Sequence, residues 1–162
     1  MPALYWASVT LHVLAALVWL GGMLFLGAVG APVLRAVEPP ALRARLFTDL
    51  GRRFRTVGWI AIVILVVTGV ATLHYRGWLQ LLGDAAFWST AAGRALAGKL
   101  AAVTVMLVAS AVHDFLLGPA AARAAPGSSE GVRLRQRAAL LARANALVGV
   151  LLVLAAVRLA RS

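Results

Sequence analysis

Four apolar runs, each long enough to cross a lipid bilayer and each separated from the next by a polar or basic stretch, constrain this chain more than any other feature. They cover residues 7–30, 56–75, 94–117 and 138–160. At a rise of 1.5 Å per residue the first run extends about 36 Å, more than the roughly 30 Å of a hydrocarbon core. A backbone in lipid must satisfy its own N–H and C=O groups, so such runs become helices. The second run is rich in Val and Ile, which in water would favour a strand, but about 20 apolar residues in succession override that propensity. A composition of 62% hydrophobic and 13% charged residues fits lipid as the main solvent. The expectation is an all-α integral membrane four-helix bundle, up-down-up-down, forming one domain over residues 1–162 with short interfacial helices in loops 1 and 2.

The stretches between the runs refine this picture. The first run has no basic region ahead of it and no convincing cleavage site, and reads as a retained helix. Pro32 is expected to end it. Loop 1 carries Arg35, Arg43, Arg45, Arg52, Arg53 and Arg55. Within it, residues 41–54 set Leu42, Leu46, Phe47 and Leu50 at helical spacing against arginines, as in a helix lying in the membrane interface. Loop 2, residues 77–93, is poor in charge, with Trp78 and Trp88 at interface depth. Gly118 and Pro119 are expected to close the third run. A Gly-Ser-rich connector, residues 125–131, leads to a last helix beginning near Val132 and finishing at Arg158 and Arg161.

Loops 1 and 3 hold eleven of the sixteen Lys and Arg residues. That asymmetry predicts loops 1 and 3 on the cytoplasmic side and both termini on the periplasmic side of a bacterial inner membrane. It also accounts for the net charge of +11 without nucleic acid, which is not expected as a partner. The chain has no cysteine, which excludes thiolate metal sites, iron–sulfur clusters and covalently attached haem.

Ionisable residues inside a membrane span are costly and draw attention to function. His12 lies about 6 Å inside the start of the first span, Lys99 at a similar depth in the third, and His74 in the last turn of the second. In an up-down order, all three return to the outer face. Singly, each reads as a polar tip reaching into the headgroups. Together they suit haem b: His12 and His74 as axial nitrogen ligands, and Lys99, Arg76 and Arg94 as propionate partners. His12, Ala16, Trp19 and Met23 share one helix face, on which Trp19 would lie against the porphyrin. Gly21 and Gly22 equally suit close helix packing.

In the third span Lys99, Met106 and His113 form a stripe at intervals of seven, with Ser110 between the last two. His113 and Asp114 fall about 21 Å from Lys99, at the other face. They read as a structural hydrogen bond or salt bridge, with a second metal or proton-entry position as the alternative. Asn145 is expected to make an interhelical hydrogen bond. No nucleophile–base pair, paired catalytic carboxylates or phosphate-cradling loop can be assembled from the five acids, all near loops.

The segments LHVLAALVWLGGMLFLG around His12, RRFRTVGWIAIVILVVTGV from Arg52, GRALAGKL from Gly93 and HDFLLGP from His113 resemble the membrane domain of copper-resistance protein D (CopD). The layout is also similar to that of the HemJ-type protoporphyrinogen oxidases. That likeness implies that His12 and Lys99 match a His and a Lys important to haem binding and activity, and that His113 matches a later His. The first-span exit GAVGAPVLRAVEPP and the fourth-span ARANALVGVLL depart from the oxidase pattern, which puts the chain closer to CopD. The CopD resemblance implies copper resistance or uptake. Soft Cu(I) sites favour Cys and Met, of which this chain has only Met1, Met23 and Met106, the last two also suited to packing.

The leading expectation is therefore a haem b-binding membrane protein with an electron-transfer or redox role, its redox partner unidentified. The alternatives are copper transport, with Met106 and His113 as metal ligands, and an oxidoreductase of the protoporphyrinogen oxidase type. A homodimer with haem at its interface would be the commonest oligomer.

Overall fold

In the computed structural model, residues 3–125 and 128–159 are described; Met1, residues 126–127 of the connector, and the chain end with Arg161 lie outside them. All regular structure among the described residues is helical. Helix α1 runs Ala3–Arg35 and α2 Pro40–Tyr75. A short α3 covers Ala85–Ser89, α4 runs Ala91–Arg123 and α5 Ser129–Leu159. The four long helices are each apolar and long enough to cross a membrane. Leu17 is 64% exposed and Val67 62%, as side chains in contact with lipid would be. The expected all-α membrane architecture is what the chain adopts.

Three local expectations change. Pro32 and Gly118–Pro119 do not end their helices. In α1 a π-helical segment, Leu26–Gly30, precedes the proline and the helix then continues to Arg35. In α4 the segment Val112–Leu117 does the same before Gly118–Arg123. A proline ring clashes with the carbonyl one turn earlier and offers no N–H. Widening that turn makes room: Ala31 N–H bonds to Leu26 O and Gly118 N–H to His113 O, each five residues back. Residues 41–54 likewise do not form a separate interfacial helix. They are the first turns of α2, whose 36 residues rise about 54 Å, so its basic end continues along the axis of the span. Finally, α5 starts at Ser129, before Val132, leaving a shorter connector. The short helix expected in loop 2 is α3.

The chain divides into two compact units, residues 1–96 and 97–162. In the first, α1 and α2 form an antiparallel pair zipped along its length. Tyr5 meets Tyr75 edge to face with ring centroids 6.0 Å apart. Trp19 lies over Gly58, where a Cβ would stand 3.6 Å from the indole. Gly22 faces Phe54, whose ring would be only 2.2 Å from a Cβ at position 22. Gly22 thus makes room for a large ring in the seam, the close packing by which membrane helices associate without a hydrophobic driving force between them. Gly77, at a φ of 69°, closes α2 in a Schellman turn: its N–H bonds to His74 O and Trp78 N–H to Leu73 O.

Loop 2 is folded on its own aromatic cluster. The Phe87 ring, buried, sits between Trp78 and Trp88 at 5.8 and 5.4 Å, and Trp88 Nε1 donates to Leu82 O. Asp84 caps α3 through Ala86 N–H, and Thr90 caps α4 through Gly93 N–H. Gly93 is obligatory there, because a Cβ would fall 2.1 Å from the Phe87 carbonyl oxygen.

In the second unit the remainder of α4 packs with α5. Met106, 2% exposed, Ser110, Asn145, Ala146 and Gly149 are its buried residues in mid-helix, and Ser110 and Asn145 join the two helices.

Candidate functional site

The histidine and hydroxyl chemistry of the first unit is concentrated on one turn of α2. Thr68, buried within the span, donates its hydroxyl proton to Ile64 O at 2.6 Å. Its oxygen lies 2.8 Å from His12 Nδ1. With the hydroxyl proton committed to the carbonyl, Thr68 accepts from His12 Nδ1–H, and the lone pair of the neutral imidazole is then on Nε2. The carbonyl of Thr68 also accepts from Ser8 Oγ and Thr72 Oγ1, so three hydroxyls and one imidazole gather at this level of the seam. Gly69 lies beside the ring, where a Cβ would stand in ordinary van der Waals contact, 3.7 Å from His12 Cε1. Thr68 was not singled out from sequence. The available signal was a hydroxyl in the middle of an otherwise aliphatic run, with Thr72 one turn further on.

His74 occupies a different side of α2. It lies six residues beyond Thr68, about 9 Å along the axis and about 120° around it. It is exposed and makes an edge contact with Tyr75 at 5.7 Å. Trp19, expected to line a porphyrin, covers Gly58 about 10 Å from the level of His12. Arg76 stacks on Trp78, 5.3 Å from the ring centroid, and Arg94 donates to Ser89 O at the foot of α4. Both arginines are thus tied into the loop 2 cluster. Met23 is half-buried on α1.

Lys99 belongs to the second unit, exposed on α4. Further along the same helix, Met106 turns its thioether into the core, and Ser110 Oγ accepts from Asn145 Nδ2 at 2.9 Å, the interhelical bond expected of Asn145. His113 and Asp114 stand in the π-helical segment, with His113 Nδ1 2.8 Å from Asp114 Oδ1. Wide turns of this kind are frequent at functional sites, because they redirect side chains without breaking the helix. Met106, Ser110 and Asp114 succeed one another at intervals of four, so α4 carries a polarizable and hydrogen-bonding strip from the middle of the span to one end. Among the described residues no group of three or more His, Cys, Asp or Glu side chains converges.

No solved structure matches this chain. A protein of Aquifex aeolicus (strain VF5), named only as uncharacterized, is 40% identical over 65 residues, a stretch covering 40% of this chain and 44% of that relative. The chain therefore spans less than half of that relative's length in the match. Residues 49–159, from the basic start of α2 to the end of α5, match the model of copper resistance protein D. That segment carries three of the four membrane helices, the Thr68 turn, Lys99 and the α4 strip; this multi-pass membrane chain belongs to the copper resistance protein D family.

Proposed function

We propose that the protein handles copper at the bacterial cell membrane, contributing to copper resistance by moving the ion through or into the bilayer. The family match over residues 49–159 carries this reading. The chemistry of the second unit is compatible with it: a thioether at Met106 and an imidazole at His113 lie on one stripe of α4, soft and borderline ligands for Cu(I) and Cu(II) respectively. In this reading the basic loops 1 and 3 face the cytoplasm and both termini the periplasm. The test is copper accumulation in cells expressing the chain, measured by elemental analysis. Expression should change cellular copper, and Met106→Leu, which preserves volume, should abolish the change. Accumulation identical with and without the chain would sink the proposal.

A second reading, haem b with a redox role, is favoured by one observation: the Thr68 hydroxyl orients His12 with its lone pair on Nε2. A ligating imidazole characteristically has its other nitrogen donating to an outer partner. His12 is then the axial ligand on which this reading rests. His74 would reach an iron only from outside the α1–α2 seam, and Lys99, Arg76 and Arg94 are the cations suited to propionates. Bound haem would supply one-electron chemistry; the chain's part is to orient His12 and exclude water. Detergent-purified protein should show a Soret band that His12→Ala removes. A colourless preparation from haem-supplemented cells would count against it.

A further inference from the structure

Two recesses of the first unit, opposite in chemistry, lie in line on α2. A hollow of about 440 Å³ is lined by Asp49, Arg52, Arg53 and Thr56. A second recess of about 230 Å³ is lined only by apolar residues, Val57, Ile60, Ala61 and Ile64 of α2 against Leu11, Leu14, Ala15 and Val18 of α1. On α2 the lining residues follow one another at steps of three or four from Asp49 to Ile64, so both recesses occupy a single helix stripe. The boundary between them, Thr56 to Val57, is where the basic extension of α2 becomes its membrane span. Phospholipid phosphates sit at that depth, with acyl chains directly beyond it.

We propose that this stripe is a binding site for one anionic phospholipid, its headgroup phosphate between the Arg52 and Arg53 guanidiniums and one acyl chain in the apolar recess. Charge and position select the occupant. Asp49 accepts from Arg52 and lies 3.8 Å from Arg45, so it offsets part of the local positive charge. Arg53 lines the hollow beside Arg52, and the Thr56 hydroxyl at its edge donates to Arg52 O at 3.3 Å. A free phosphate would use the arginines alone and leave the apolar recess without a role. A second copy of the chain would cover the recess but would bring the same basic stripe against itself or an apolar face. Leu14 and Ile60, at 52% and 57% exposure, show that the first unit by itself leaves the recess open. Two arginines partly offset by one aspartate act as roughly one net charge, for which the expected preference for an anionic over a zwitterionic lipid is roughly fivefold.

The experiment uses the full chain in nanodiscs of phosphatidylglycerol and phosphatidylcholine mixtures, with tightly held lipid counted by native mass spectrometry on release. The wild type should retain phosphatidylglycerol roughly fivefold over phosphatidylcholine. Arg52→Gln with Arg53→Gln should bring the ratio to about one, and Arg53→Lys should keep most of it. Ile60→Trp, filling the apolar recess and leaving both arginines in place, should also abolish retention. Millimolar inorganic phosphate should not compete. A wild type without preference, or a double Gln variant that keeps it, overturns the proposal. Retention that survives Ile60→Trp reduces the effect to surface charge and overturns the seated lipid. Ile60-to-Ile60 cross-linking between chains through introduced cysteines, at the expense of bound lipid, assigns the recess to a second copy and overturns it too. Circular dichroism melts of each variant separate lost binding from lost folding.

Discussion

The first helix pair and the second can be set against one another at an interval of 87 residues. Pro32 and Pro119, Trp19 and Met106, Met23 and Ser110, and His12 and Lys99 each stand 87 apart. Both leading helices carry a π-helical segment just before the proline. Both following helices bury two small residues one turn apart, Gly58 and Ala61 in α2, Ala146 and Gly149 in α5. The fillings differ. The first seam is closed by shape, with glycines under Trp19 and Phe54, and makes its polar contact towards the end where α1 begins, at His12 and Thr68. The second is joined by an amide–hydroxyl bond in mid-span, with Met106 buried one turn away on α4. One layout thus supports two ways of joining helices in lipid, close packing and buried hydrogen bonding. It also puts a histidine at one position and a lysine at its counterpart, so the two pairs present different chemistry from a common scaffold.

The sharpest way to break this comparison is at Gly22. A methyl group there must displace the Phe54 ring, and overfilling a packed seam costs about 1–3 kcal/mol. Gly22→Ala should lower stability by that amount in a detergent–SDS unfolding titration, and Phe54→Leu in the same chain should restore most of it. The counterpart, Ala109, already carries a Cβ. Ala109→Gly should cost no more than about 1 kcal/mol, the ordinary helix penalty of glycine. Equal effects at both positions would show that the first seam owes nothing to close approach.

The second pair should be more sensitive to polar truncation. Asn145→Ala and Ser110→Ala should each cost about 1 kcal/mol, with a coupling in the double-mutant cycle of about 0.6 kcal/mol, the average for hydrogen bonds between membrane helices. Additive effects would mean that the bond contributes nothing beyond packing. In the first pair, Thr68→Val removes the hydroxyl at nearly constant volume and should cost less, about 0.6 kcal/mol. Its distinctive consequence concerns His12: nitrogen-15 spectra should show the Nε2–H tautomer gaining population, and Thr68→Ser should leave the wild-type signal. An unchanged tautomer in Thr68→Val would mean that another group sets the imidazole.

What could be read from sequence followed from physics that acts along the chain. Apolar run length yielded the four spans, because a bilayer imposes one length on every crossing element. The Asn145 bond was legible because a polar amide within an apolar span is stabilised by a partner on a neighbouring helix. Three other features do not follow from run length or periodicity. Thr68 acquires meaning only because α1 brings His12 against it, 56 residues away. Depth alone makes His74 a companion of His12, yet depth leaves the angle around the helix unspecified, and that angle differs by about 120° from the Thr68 side. The basic turns 41–54 had the pattern of an interfacial helix, but amphipathicity cannot tell a helix that ends before Arg55 from one that runs on without a break into the span. The prolines misled for a related reason. A stop rule presumes that the turn before proline stays α-helical, and in both leading helices it widens instead.

The smallest effects are expected at those prolines, and they separate two accounts of the common layout. If each proline imposes its wide turn, Pro32→Ala and Pro119→Ala should let the preceding segment tighten, so that Gly118 N–H shifts from His113 O to Asp114 O. The lost strain and the altered packing should then nearly cancel, leaving a stability change of less than about 0.5 kcal/mol. The structural consequence is larger than the energetic one, because tightening the wide turn changes the local path of the helix across it. His113 and Asp114 would turn with it. Spin labels at exposed Val108 and Arg123 would report the change as a shift in their separation, and hydrogen exchange at the Gly118 amide as a change in protection. An unshifted distance in Pro119→Ala with a shifted one in the analogous Pro32→Ala pair would mean that α4 holds its wide turn by other contacts. The His113–Asp114 hydrogen bond is the first candidate, since it lies inside the segment and has no counterpart among the residues Leu26–Gly30 of α1.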